Sequence, residues 1–258
     1  MMNARQRREL IANRTLEQGR VHVADLTAEF GLTDTSIRRD LTILEEMGQL
    51  KRVHGGAVST TRALQVASFE EKMHYRGSEK QRIGARAAEH VHPDDVIILD
   101  SGTTVLQLAR QLPGQLRLPG ALRIVTNSVS LAEEIGMWAA PNLLLLGGIY
   151  LPEHQATVGP EALEGLGQLT ADTAFLGCDG WTLSGGITTA HPLIAEVGRM
   201  MADRARKAIV LADSTKLLRA GFVSIIPTDR IDLLITDGEA PTEIVSVLRD
   251  QGVEVQLV

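Results

Sequence analysis

The chain is poor in cysteine, in aromatic residues and in long apolar runs. Cys178 is its only cysteine, which excludes an intrachain disulfide and a cysteine-based zinc site. Two Trp, two Tyr and four Phe are few, and Trp138 and Trp181 alone do not make a platform for stacking bases. No apolar run is long enough to span a bilayer. The opening Met1-Met-Asn-Ala-Arg-Gln-Arg-Arg8 has no apolar stretch of the kind a secretory signal needs. These absences point to a cytoplasmic protein without a membrane partner. At 258 residues the chain can form one large domain or two ordinary ones, each with a real core.

The net charge of −6 argues against a nucleic-acid partner only if it is spread evenly. Residues 1–58 hold nine Lys/Arg against eight Asp/Glu, a balance of +1, and the remainder holds 17 against 24, a balance of −7. The excess acid therefore lies away from the N-terminal part, and local basic patches matter more to nucleic-acid affinity than the total.

What is present begins with Ser36-Ile-Arg-Arg-Asp-Leu-Thr-Ile-Leu44. Ile37, Leu41 and Leu44 recur at i, i+4 and i+7 and form one buried helical face. Thr35, Arg38, Arg39 and Thr42 recur on another face beside Ser36, a surface of guanidiniums and hydroxyls suited to phosphates and base edges. A first helix is expected from Arg5 to Gln18, with Leu10, Ile11 and Leu16 among its apolar positions and Gly19 as its stop. A second is expected over Val21–Phe30, ended by Gly31, and Thr33 then offers a hydroxyl cap to the third. Helix, glycine turn, helix is the order in which the second helix enters the major groove of duplex DNA. Gly48 closes that helix. Gln49–Val53 and the Gly55-Gly56 turn then make a short hairpin, or wing, carrying Lys51, Arg52 and His54. An ordinary solvated face and hairpin would explain each feature singly. Their order favours DNA.

These residues, Thr33-Asp-Thr-Ser-Ile-Arg-Arg-Asp-Leu41 followed by Arg52-Val-His-Gly-Gly-Ala57, closely resemble the DNA-binding domain of the DeoR family of bacterial transcriptional repressors. The family usually has serine where this chain has Thr33, and either hydroxyl can cap. The resemblance implies a winged helix-turn-helix over residues 1–58. Double-stranded operator DNA is its expected partner.

Ser59–Ser68 is polar and without period, and residues 59–77 read as linker and connecting segment. Ser78–Val91 reads as a helix. Beyond it, short apolar runs alternate with helical patterns over 78–258. Val96–Asp100, Arg123–Asn127, Asn142–Leu146, Asp172–Leu176, Ala208–Asp213 and Ile231–Thr236 are the expected strands. Continuous apolar runs indicate strands buried on both faces, hence an α/β domain with a mostly parallel sheet. Ligands in such sheets sit at the carboxyl ends of the strands. There the chain has Asp100-Ser101-Gly102-Thr103-Thr104 before a helix over Val105–Leu112, Thr126-Asn127-Ser128, Gly177-Cys-Asp179-Gly180 and Asp213-Ser-Thr-Lys216. The Thr103 and Thr104 amides and hydroxyls suit an anion at a helix start, although a plain hydroxyl cap reads the same way. Asp100 would repel a phosphate, so it is assigned to sugar hydroxyls or to a lysine. Glu196, on a helix over Pro192–Arg204, is a weaker member. The set fits a small, polyhydroxylated, phosphorylated ligand.

This half also resembles the sensor domain of the same family, on Asp100-Ser-Gly-Thr-Thr104, Val125-Thr-Asn-Ser128, Gly147-Gly148, Asp172 through Gly180, Gly185-Gly-Ile-Thr188, Glu196 and Asp213-Ser-Thr-Lys216. The resemblance implies a fold similar to ribose-5-phosphate isomerase and a phosphorylated-sugar effector. The Gly102–Thr104 loop would take the phosphate, and Asp179 and Lys216 the sugar. Leu217 stands where the family commonly has phenylalanine, and Gly198-Arg199 where it has Lys-Arg. The function implied is that of a repressor of a carbohydrate-metabolism operon. No cofactor is expected, and a homodimer or tetramer is, since paired sites are read by symmetry. A sugar-phosphate isomerase with an appended DNA-binding domain is the competing class, because Asp179 and Lys216 would also suit proton transfer. A sensor domain serving only assembly is a third. Cys178 reads as a small core residue. His90 and His92 have no cysteine or carboxylate cluster to complete a metal site. His154 and His191 fall in loops near the rim.

Overall fold

The computed structural model describes residues 4–18, 20–47, 49–59, 69–183, 185–217 and 219–258. The chain divides into two compact units, Met1–Ala67 and Ser68–Val258.

The first unit runs α1 (Ala4–Gln18), β1 (Arg20–His22), α2 (Val23–Phe30), α3 (Asp34–Glu46), β2 (Leu50–Val53) and β3 (Gly56–Ser59). The second helix starts two residues later than its pattern suggests. Val21 and His22 instead pair antiparallel with Ala57 and Gly56 of β3, which also pairs with β2. The wing is thus a three-stranded sheet in the order β1-β3-β2. Gly31 ends α2 in the left-handed region at φ 62, and the Thr33 hydroxyl accepts the Ser36 amide at the start of α3. Ile11, Val23, Leu26, Ile37, Leu41, Leu44 and Leu50 form the core. Leu10, expected among the apolar positions, is 47% exposed, because Ile11 fills the inward position of that turn. Gly19, Gly48 and the Leu16 side chain lie outside what is described.

Asp40 is a buried carboxylate on the inner side of α3. It is 6% exposed and bonds Arg7 of α1 at 2.7 Å. A carboxylate so placed is tolerated only because it is paired.

The second unit begins with α4 (Phe69–His74) and α5 (Gly77–Ala88). Residues 69–77, read above as connecting segment, therefore belong structurally to this unit, and 60–68 lie outside what is described. Then come β4 (Val96–Leu99), α6 (Thr103–Gln111), β5 (Arg123–Thr126), α7 (Val129–Gly136), β6 (Leu143–Leu145), β7 (Ile149–Leu151), β8 (Ala156–Val158) and α8 (Pro160–Gly167). The chain continues through β9 (Ala171–Leu176), β10 (Gly180–Thr182), β11 (Gly186–Thr189), α9 (Pro192–Arg204), β12 (Ala205–Leu211), β13 (Val223–Ile226), β14 (Leu233–Thr236), α10 (Thr242–Asp250) and β15 (Glu254–Leu257).

Seven strands form one sheet in the order β15-β14-β12-β9-β4-β5-β6, and every pairing in it is parallel. All six expected strands are in it. The edge strand β15 was not expected, since Glu254 and Gln256 interrupt its apolar run. Antiparallel β10-β11-β13 and the β7-β8 hairpin, made of short three- and four-residue strands, were likewise not read from the sequence. Along β4, Ile97 and Leu99 enter one core with Val105, Leu108, Leu131 and Ile135 of α6 and α7. Ile98 enters the other with Ile194, Val197 and Met201 of α9 and Leu248 of α10. The helices lie on opposite faces because the chain winds outward from β4 through β5 and β6, then returns to β9 and winds the other way. With right-handed crossovers, that reversal moves the helices across the sheet. In open parallel sheets the winding reversal is where ligand sites lie, which directs attention to the carboxyl ends of β4 and β9.

Asp40→Ala is expected to destabilise the first unit by about 2 kcal/mol, because the partly buried Arg7 loses its partner. Replacing both, Arg7→Met with Asp40→Leu, should recover most of the loss. Urea unfolding of the three variants checks this.

Candidate functional site

Two sites emerge, one in each unit. In the first, Thr35, Arg38 and Arg39 stand exposed on α3, with Ser36 and Thr42 half-buried beside them. Lys51 and Arg52 lie on β2, and His54 is exposed in the turn that follows. The wing is fastened to the helix. The Arg52 amide donates to Glu45 Oε1 at 2.8 Å, and its guanidinium donates to Thr42 Oγ1 at 2.7 Å. The Thr42 hydroxyl donates in turn to the Arg38 carbonyl. Thr42 therefore couples helix to wing, a job its spacing on the polar face did not reveal. Arg38 reaches Asp34 at 3.2 Å one turn back, while Arg39 makes no ion pair among the described residues.

In the second unit the crevice is closed at its base by backbone. Asp100 Oδ2 accepts the Gly177 amide at 3.0 Å, and Ser101 Oγ lies 3.4 Å from the other oxygen. A side chain at Gly102 would begin only 3.3 Å from the Gly177 Cα, so two glycines let the ends of β4 and β9 touch. Burial pushes the Asp100 carboxyl above its ordinary range, against the bonds from Gly177 and Ser101. The expected lysine partner is not there among the described residues. Asp100 braces the two strand ends instead.

The helix α6 starts two residues earlier than its apolar pattern, at Thr103, with Gly102 as cap residue and no side-chain cap bond. Gly102 has no hydroxyl to cap this turn, so the hydroxyl-cap reading is set aside, and no side-chain bond to the first amides of α6 occurs among the described residues. Ser101 and Thr104 are buried, and Thr103 is half-buried. Asn127, fully buried after β5, donates Nδ2 to the Thr157 carbonyl at 2.9 Å, and its Oδ1 has no partner.

Asp179 follows β9 and is half-buried. Its Oδ2 accepts from Thr189 Oγ1 at 2.9 Å and from the Ala190 amide at 3.0 Å. Burial would raise its pKa, but Lys72 and Lys216, together with these two bonds, outweigh burial and hold the carboxyl below its ordinary range. Lys216 sits in a short 3-10 turn after β12. Asp179 and Lys216, both named from the sequence, interact electrostatically, and Lys72 of α4 joins them. Glu196 is exposed on α9, and no hydrogen bond or ion pair joins it to the others among the described residues.

Lys80, which carried no signal in the sequence, is 3% exposed and donates to the carbonyls of Lys72 and of Tyr75, the latter at 2.7 Å. Desolvation lowers its pKa to about 8, with Asp213 opposing and Lys216 and Lys72 assisting. Asp213 is itself fully buried, accepts from Thr215, and has one oxygen without a partner. His154 and His191 meet edge to face at 5.7 Å between ring centres. Burial, and then Lys72, lower His154 below its ordinary value. The Cys178 thiol is pushed up to about 12 by burial, so it is not a nucleophile at neutral pH. Among the described residues no group of three or more His, Cys, Asp or Glu is placed to hold a metal. Among the described residues no helix is long and apolar enough to cross a membrane.

A helix that exposes two arginines beside a fastened wing in one unit, and strand ends carrying amides, lysines and a carboxylate in the other, define a DNA-binding regulator with a separate sensing domain. Residues 7–63 match the DeoR-like helix-turn-helix domain, and residues 76–238 match the DeoR C terminal sensor domain. The chain belongs to the DeoR family of transcriptional regulators. It is 35% identical over 256 residues to a putative aga operon transcriptional repressor of Escherichia coli O157:H7, covering 98% of this chain and 93% of that one. It is 32% identical to the HTH-type transcriptional repressor GlcR of Bacillus subtilis, over 92% of this chain and 90% of the relative. A partial superposition on ribose-5-phosphate isomerase A from Methanocaldococcus jannaschii has a TM-score of 0.40 at 19% identity, covering 54% of this chain and 53% of that one. The strand order given above, and not that superposition, defines the fold.

The lowered Lys80 pKa has a signed consequence. Below about pH 8 both folded and unfolded chains carry the proton, and the full burial penalty applies. Between about 8 and its ordinary value near 10.5 the unfolded chain binds more protons, so stability gains from this group as pH rises. The stability difference between the wild type and Lys80→Met should therefore move in favour of the wild type by on the order of 2–3 kcal/mol across that window. Chemical denaturation of the pair at pH 7.5 and pH 10.5, roughly the two ends of that range, measures it.

Proposed function

We propose that this protein represses a carbohydrate-metabolism operon in the cytoplasm and is released from its operator by a phosphorylated sugar bound in the β4–β9 crevice. The observation that carries the reading is the uncapped start of α6 lying at the winding reversal, with Asp179 and Lys216 on the neighbouring strand ends. Amides and dipole at a helix start suit a phosphate. A carboxylate and an ammonium suit sugar hydroxyls. Two-fold operators call for a homodimer or tetramer. Residues 1–58 would act as the DNA-binding domain and 78–258 as the sensor.

The isomerase reading is disfavoured by the state of Asp179. A general base works best with its pKa near the working pH, whereas two lysines and two hydrogen bonds hold this carboxyl low. Such a group binds hydroxyls well and abstracts protons from carbon poorly. No turnover of ribose 5-phosphate is expected, and turnover abolished by Asp179→Asn would reverse this reading.

Arg39, exposed and unpaired, is expected to contribute more than Arg38, which must first leave Asp34. Arg39→Ala should weaken operator binding by about 1–3 kcal/mol if it reads a base, and should flatten the salt dependence by about one unit if it holds a phosphate. Electrophoretic shifts of duplex from the chain's own promoter region, at several salt concentrations, distinguish the two. Failure of the wild-type chain to shift that DNA at moderate salt would overturn the proposal. Lys216→Ala should weaken a phosphorylated-sugar effector about tenfold or more, on the scale of a charge-assisted bond, as read by titration calorimetry.

A further inference from the structure

Among the described residues, the seven-stranded sheet protects one of its edges and leaves the other open. At β15 the Arg249 guanidinium donates to the Val255 carbonyl at 2.9 Å, and Glu254 adds an exposed charge. The edge strand β13 of the smaller sheet is treated alike, since Arg199 donates to the Ile225 carbonyl at 3.1 Å and to the Ser224 carbonyl at 2.8 Å. Charge on an edge is one way in which a strand is kept from pairing with another chain. The opposite edge of the large sheet, β6, has none.

Among the described residues β6 pairs with β5 alone. The Ile124 amide donates to the Asn142 carbonyl, and the Leu146 amide donates to the Thr126 carbonyl. Successive residues of a strand turn their backbone groups to opposite sides in a parallel ladder, so Asn142, Leu144 and Leu146 address β5. Leu143 and Leu145 each turn an amide and a carbonyl outward, where no described group meets them. The stretch Asn142-Leu-Leu-Leu-Leu-Gly-Gly-Ile-Tyr-Leu151 has neither charge nor proline. Leu144 and Leu145 of β6, with Ile149 and Tyr150 of β7, are between 44% and 54% exposed. Together they leave roughly 300–400 Å² of apolar surface, the size of patch that marks a protein interface. That is about half of the ~800 Å² each partner buries in a standard interface, and the backbone ladder and its margins supply the rest.

We propose that β6 pairs antiparallel with β6 of a second copy of this chain, joining two seven-stranded sheets into one across a two-fold axis at Leu144. A second copy matches this edge group for group. In that register Leu143 of each chain lies opposite Leu145 of the other, and each such pair exchanges two bonds, so every outward amide and carbonyl is satisfied. Leu144 meets its own counterpart in a pair without hydrogen bonds, where side chains come closest. An uncharged face also meets its copy without like-charge repulsion. The pairing closes on itself, whereas β6 added to β15 of a next chain would run on as an open fibre. The inference rests on the homo-oligomer reading given above and names its surface, and it does not depend on the ligand.

The particle mass of the full chain, read by sedimentation velocity at micromolar concentration, tests the surface. Leu144→Glu and Leu144→Lys should each halve the mass of the wild-type assembly, because like charges would meet on the axis. Mixed in equal amounts the two variants should recover it, since opposite charges then meet there. A multi-chain mass that both variants keep would overturn the β6 surface and leave the homo-oligomer reading standing. A wild-type mass of one chain would overturn both. Leu144→Cys gives a second measurement that holds even if the charged variants do not fold. Its paired Cα atoms would stand about 4.5 Å apart, within disulfide reach, so mild oxidation should yield a linked pair of chains. The wild type, whose single cysteine has its thiol pushed up to about 12 by burial, should stay unlinked. Oxidised Leu144→Cys that runs as single chains would rule out pairing in this register.

Discussion

Asp100 accepts the Gly177 amide at the point where the sheet reverses its winding, and Gly102 lies against Gly177 because neither has a side chain to separate them. Much of the sensor unit depends on this contact. It holds the ends of β4 and β9 together, and so fixes the start of α6 relative to Asp179. A larger residue at either glycine would force the strand ends apart. An unsatisfied Gly177 amide would cost about as much as a lost buried hydrogen bond. Asp100, named from the sequence as a ligand group, acts in the structure as a brace between the two strand ends.

Charge is then arranged around that fixed base with little slack. Lys80 is buried but satisfied by two carbonyls, Arg76 is shared among three carboxylates, and Asp179 is bonded by an amide and a hydroxyl. Among the described residues, the Lys72 and Lys216 ammoniums have no hydrogen bond or ion pair, and Asp213 keeps one oxygen without a partner. Since unmet charge is costly in a partly desolvated place, the pattern selects an anion more sharply than it selects a particular sugar. On the reading proposed above, specificity among sugars falls to smaller groups, such as the partnerless Asn127 Oδ1 and the His154–His191 edge.

The winged helix and the parallel sheet were legible because each rests on a strong local pattern. Ile37, Leu41 and Leu44 mark one helical face, and six continuous apolar runs mark strands covered on both sides. What escaped was whatever depends on partners distant in sequence. β1 is three residues long and exists because β3, more than thirty residues later, pairs with it. Reading Val21 and His22 as helix followed the local apolar spacing, which tertiary pairing overrode. α4 has six residues, too few to show a period, and its Lys72 gains meaning only beside Asp179. Asp40 looked like a polar residue on a helix, and only Arg7 explains why it can be buried.

The two units also differ in how firmly they hold charge. On α3, the Arg38–Asp34 pair is exposed on both sides, with 50% and 59% of the side chains open to water. Such a pair contributes little to stability, so exchanging Asp34 for a DNA phosphate costs little. The balance of +1 over residues 1–58 gives only modest non-specific attraction, which leaves operator affinity to a few contacts. That suits regulation by a small ligand. A coupling of about 1–3 kcal/mol alters affinity roughly five- to 150-fold, enough to empty a site held by a few moderate contacts and too little to dislodge a chain bound by a large basic surface. The ligand produces this change only if it binds the DNA-competent and released states with different affinity. The required difference is of the size of one charge-assisted bond made or lost at the crevice.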